Sequence, residues 1–116
     1  VSEPITKGRR LQPIVEVDGK RHLPELEHPG DYCGPITGYN GPGQEACFFL
    51  KPNARDADAP ARARSVQHVL FPPHTYRECP DGSLEIRNSI GDTAGDDKTS
   101  DGWHGYLDEG HVWRQV

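Results

Sequence analysis

The chain has no methionine, only three cysteines and two tryptophans, and no long apolar run anywhere in its 116 residues. A helix that crosses a bilayer takes roughly 18 consecutive apolar residues, so none is expected. Val1-Ser2-Glu3-Pro4-Ile5-Thr6 also lacks the apolar stretch of a secretory signal. The expectation is a soluble, unexported protein. Cys33, Cys47 and Cys79 cannot all pair within one chain, and no two are spaced as Cys-x-x-Cys. Free thiols in a reducing compartment are the simpler account, with a Cys33 to Cys47 bridge as the alternative.

Positive charge is short too. Thirteen Lys and Arg against eighteen Asp and Glu leave a net charge of -5, which argues against general attraction to a nucleic-acid backbone. Familiar catalytic signatures are missing: there is no Gly-x-Ser-x-Gly, no Gly-x-Gly-x-x-Gly opening a helix, and no phosphate loop ending in Gly-Lys-Ser/Thr. The reading therefore leans away from an enzyme.

What is present is turn chemistry. Gly (13) and Pro (11) make up about a fifth of the chain while only 33% of residues are hydrophobic, a balance that fits short strands joined by many turns. The length suits one core. The expected fold is mainly β: a small antiparallel sandwich or partly open barrel with long Gly/Pro-rich loops, forming a single domain over residues 1–116 with 1–11 as an extended N-terminal arm.

Asp18-Gly19 between Ile14-Val15-Glu16-Val17 and Lys20-Arg21-His22-Leu23 predicts a hairpin with a type I′ turn. From Pro24 to Glu45, repeated Gly and Pro predict loop, with a short strand around Ile36 to Tyr39. Ala46-Cys47-Phe48-Phe49-Leu50 reads as a strand buried on both faces, and Val66 to Phe71 as a strand stopped by Pro72-Pro73. Residues 52–64 read as a surface loop with at most one helical turn. In Ser83 to Ile90 the residues Leu84, Ile86 and Ile90 share one face, and residues 91–102 read as an acidic tip that holds Asp96 and Asp97. The last hairpin runs from Trp103 to Leu107 and from His111 to Val116, turning at Gly110. Alternation puts Trp103, Gly105 and Leu107 on one side and His104 and Tyr106 on the other.

Candidate chemistry is sparse. His68, His74, His104 and His111, with Cys79 near in sequence, supply imidazole and thiolate for a zinc site if the strands bring them together. Without the paired short-range spacings of zinc motifs, no cofactor is expected and zinc is the alternative. Two basic patches, Lys7/Arg9/Arg10 and Arg55/Arg62/Arg64, could hold one anionic ligand. At least one tryptophan should anchor the core, while Tyr106 or Trp113 could line a ligand pocket.

From Phe71 onward, Phe-Pro-Pro-His-Thr-Tyr, Asp-Gly-Ser-Leu-Glu-Ile-Arg-Asn-Ser-Ile and Trp-His-Gly-Tyr-Leu-x-x-Gly-His-Val-Trp resemble a group of small uncharacterised bacteriophage proteins. Some of these carry an ammonia monooxygenase label that nothing in these residues supports. The resemblance spans roughly the last 45 residues, implies a phage origin, and carries no functional residue. The expected role is a phage accessory protein that binds, without catalysis, either a small host molecule such as a nucleotide-like defence signal or a host protein. Arg55, Arg62 or Arg64 would meet phosphate while Tyr106 or Trp113 stacks on a base. Its place would be the host cytoplasm, with no membrane or nucleic-acid partner. The alternatives are a virion component, such as a capsid decoration or tail accessory protein forming homo-oligomeric or virion contacts, and below it a metal-dependent hydrolase.

Overall fold

A computed structural model describes residues 5–19, 21–38, 41–52, 66–91 and 103–115. The surface loop expected over 52–64, the acidic tip past Gly91, and Arg55, Arg62 and Arg64 lie outside these, apart from Pro52. Among the described residues every regular element is a strand. In chain order they are β1 (Ile5–Lys7), β2 (Arg9–Leu11), β3 (Ile14–Val15), β4 (Arg21–His22), β5 (Asp31–Thr37), β6 (Glu45–Leu50), β7 (Val66–Phe71), β8 (Thr75–Glu78), β9 (Leu84–Gly91), β10 (His104–Asp108) and β11 (Val112–Gln115).

Two sheets face each other as a sandwich rather than closing into a barrel. One has the order β1-β11-β10-β9-β8, antiparallel throughout, and the other β2-β5-β6-β7. The second is antiparallel except that β2 runs parallel to β5. Between them lies an aromatic core. Leu84, Ile86, Ile90, Trp103, Leu107 and Trp113 come from the first sheet and its flank, and Tyr32, Cys47, Phe49, Val69 and Phe71 from the second. The Trp113 ring sits 4.7 Å from Phe49 and 5.4 Å, edge-on, from Trp103. Its indole N–H donates to Gly30 O at 2.7 Å. Both tryptophans are therefore core residues, and the alternation expected along the last hairpin is observed: Trp103, Gly105 and Leu107 are buried while His104 is exposed.

The four-stranded sheet is buried on its other face as well. Cys33, Ile36, Ala46, Phe48 and Leu50 pack there with Leu26, which is why β6 is apolar at every position after Glu45 and lies inside the sheet as its sequence predicts.

Three expectations are corrected. The stretch expected to be loop contains β5, a seven-residue strand in the middle of the sheet. Its Gly34-Pro35 breaks the strand signal yet fits: the register against β6 shifts between Cys33 and Ile36, and β2 pairs only with Asp31 to Cys33, so Pro35 lies beyond that ladder. Gly34 is required because a Cβ there would come 2.7 Å from Cys47 Cα. Secondly, residues 5–11 are no free arm: β1 joins one sheet and β2 the other, crossing at Gly8, whose N–H donates to His111 O at 2.7 Å. Thirdly, the β3–β4 hairpin forms, with Val15 opposite Arg21, but its turn is wider than type I′. Gly19 N–H donates to Glu16 O at 2.9 Å, and Gly19 takes a positive φ while Asp18 does not. In β9 the alternation slips at Asn88, which takes a φ of 73° where two extra residues bulge against β10.

Candidate ligand-binding site

Polar contacts lock the sandwich shut along its rims. Arg10 on β2 reaches Glu78 on β8 at 2.6 and 2.9 Å and also donates to Gly34 O at 2.7 Å, and this pairing raises its pKa and holds the Glu78 carboxyl below its ordinary value. Asp31 is buried and accepts from Arg9 (2.9 Å) and from the amides of Glu27 (3.1 Å) and His28 (3.0 Å). Burial alone would raise its pKa, but the Arg9 hydrogen bond and the two amides outweigh it and hold the carboxyl low. Arg9 and Arg10, two thirds of the N-terminal basic patch, are thus spent on internal carboxylates. The Tyr32 hydroxyl accepts from Leu84 N–H at 3.2 Å and lies 2.6 Å from His111 Nδ1. Burial pushes it up to about 12.

The open space lies on the other side of the four-stranded sheet. The β3–β4 hairpin stands over that face and leaves a cavity of about 760 Å³ between its second strand and β5–β6. Ile36 and Phe48 form the apolar floor, Leu23 adds an apolar edge, and Arg21, His22, Thr37 and the backbone of Gly19 and Gly38 complete the lining. A smaller cavity of about 290 Å³ lies on the hairpin's other side, and Arg21 lines both. Arg21 is exposed and makes no hydrogen bond or ion pair with a described residue. His22 Nε2 lies 3.6 Å from Glu16 Oε1. A volume within about 300 to 1,000 Å³ with apolar walls and a few polar groups is the usual form of a small-molecule site.

No protein-family model, curated protein or solved structure matches this chain.

Of the residues expected to bind ligand, Trp113 is fully buried and its ring is taken up by Phe49, Trp103 and Tyr32, which leaves no face for a stacked base. Tyr106 is half-buried on the outer face of the five-stranded sheet, with the Arg114 guanidinium 4.4 Å over its ring and Arg114 donating to Asp108 at 3.0 Å. The four histidines are held separately: His68 beside Phe48, His74 with Nε2 at 2.9 Å from Ser89 O, His104 opposite Gly91, and His111 against Tyr32. Among the described residues the one group of three or more metal-type donors within 4.8 Å of one another is Cys79, Asp81 and Glu109. It contains none of these histidines, and its two carboxylates already receive Ser83 and Arg77.

The cavity residues were legible as structure but not as a site. The sequence pattern places Arg21 in a hairpin and Phe48 in a buried strand. The signal that points to them is the aliphatic content of a hairpin too short to bury it: Ile14, Val15, Val17 and Leu23 all have exposed side chains.

Proposed function

We propose that this chain is a binding module that holds a small, partly apolar molecule in the cavity beneath the β3–β4 hairpin and does no chemistry on it. The observation that carries this reading is the cavity itself, floored by Ile36 and Phe48 and edged by Arg21. Cys33, Cys47 and Ser83 support a non-catalytic role. Burial pushes Cys33 up to about 11 and Cys47 up to about 12, far from a reactive thiolate. Ser83 is fully buried; its Oγ donates to Asp81 at 2.5 Å and accepts from Gly110 N–H at 2.9 Å. The setting we propose is a bacteriophage accessory protein acting in the host cytoplasm, on the resemblance of the last 45 residues. Among the described residues no helix is long and apolar enough to cross a membrane.

The test is titration of the ¹⁵N-labelled full chain with a panel of host metabolites, including cyclic and ADP-ribose-derived nucleotides. Saturable shifts of the Thr37 and Gly38 amides are expected for at least one class. Shifts confined to other parts of the chain would assign the ligand to another site and sink the proposal.

A second reading, a virion component, is favoured by one observation: four of the five large hydrophobic side chains that are exposed among the described residues are on or beside the β3–β4 hairpin. Mass spectrometry of purified particles separates the two readings, because a virion component must be present in them.

A further inference from the structure

We infer that the cavity under the β3–β4 hairpin selects an anionic ligand, with an apolar body against Ile36 and Phe48 and its negative group at Arg21. The inference rests on the binding role proposed above and adds the charge of the ligand. The chain carries eighteen acidic side chains against thirteen Lys and Arg, yet the described lining of this cavity has Arg21 and His22 and neither Asp nor Glu. The local sign is opposite to that of the whole chain. Other arginines in the fold are neutralised from within: Arg9 by Asp31, Arg10 by Glu78, and Arg77 by Glu85 and Glu109. Among the described residues no carboxylate pairs with Arg21, and its planar fork of donors matches the paired oxygens of a carboxylate or phosphate.

The two cavities differ in this respect. The smaller one also reaches Arg21, but Glu78 lines it and Arg10 there is committed to Glu78, so an anion would face a carboxylate. In the larger cavity the cation stands beside Leu23, Ile36 and Phe48, a combination that suits a molecule with one charged end and one apolar end. The Thr37 hydroxyl offers a further polar contact.

Two matched pairs of probes test the charge directly: indole-3-acetate against indole-3-acetamide, and adenosine monophosphate against adenosine, each titrated into the labelled full chain. The charged member of at least one pair should bind about tenfold more tightly than its neutral partner, the advantage expected of a hydrogen bond to a charged group. That advantage should shrink as salt rises. Arg21→Gln should abolish it, so that the two members of the pair bind alike, and spectra away from the hairpin report that the variant is folded. Equal affinities within both pairs, or a charge advantage that survives Arg21→Gln, would overturn the inference while leaving the binding role standing. If no probe moves the Thr37 and Gly38 amides at millimolar concentration, the binding role fails and the inference fails with it.

Discussion

Two hairpins in this protein start from the same local chemistry and end in opposite environments. β3–β4 turns at Gly19 with φ 87°, and β10–β11 turns at Gly110 with φ 89°. The second is the middle of a five-stranded sheet, flanked by β9 and β1, with Trp103, Leu107 and Trp113 in the core. The first is a two-stranded sheet of its own, with Ile14 51% and Val15 63% exposed and Val17 fully so. A turn residue thus decides that a hairpin forms, whereas its burial depends on what lies across from it. A two-stranded ribbon is marginal in water, so the hairpin over the cavity is expected to open far more readily than the rest of the sandwich.

The largest effect should come from the buried hairpin. Trp103→Ala removes a ring packed against Phe49 and Trp113 and should cost about 3 to 5 kcal/mol, a large fraction of the stability of a domain this size. Urea denaturation reads it, and a variant as stable as its parent would mean that the two hairpins do not differ in their hold on the core. Asp31→Ala comes next, at about 2 kcal/mol, because it leaves the Glu27 and His28 amides without their acceptor.

The same carboxylates set the acid limit. Asp31 and Glu78 are held below their ordinary pKa values in the fold, so protons bind the unfolded chain more readily. Their contribution is complete above the unfolded carboxylate range near pH 4 and is lost as pH falls through the lower folded values. Denaturation midpoints should therefore stay level from pH 7 to about 5 and fall below about 4, with a shallower fall in Asp31→Asn.

A matched pair of glycine variants tests the comparison itself. Gly110→Ala imposes a left-handed conformation on a side chain within the five-stranded sheet's turn and should lower global stability by about 1 kcal/mol. Gly19→Ala imposes the same strain, but on a hairpin that opens independently. It should speed hydrogen exchange of the β3–β4 amides and leave the global midpoint unchanged. Equal losses of global stability would mean that the two hairpins unfold as one unit. The smallest change is expected for Val17→Ser, within about 0.5 kcal/mol as for other exposed positions.

Much of the fold was legible because its signals are local. The apolar run Ala46 to Leu50, the alternation of Leu84 and Ile86, the stop at Pro72-Pro73 and the alternation around Trp103 each follow from side chains within a few residues of one another. β5 was hidden because Gly34-Pro35 imitates a loop, and only the approach of Cys47 and the short reach of β2 explain why those residues belong in a strand. The joining of residues 5–11 to two different sheets was hidden for a related reason: a three-residue strand has no pattern of its own and is fixed by its partners.

The site divides the same way. The sequence by itself determined that the chain is β-rich, where most of its turns fall, and that Trp103 shares a strand face with Leu107, since periodicity and turn chemistry act over a few residues. Only the tertiary structure decided that Trp113 is buried and that Arg9 and Arg10 are neutralised by Asp31 and Glu78. It alone left Arg21 without a partner among the described residues, over a floor of Ile36 and Phe48. Those outcomes depend on groups up to 83 residues apart along the chain, a separation that no local pattern encodes.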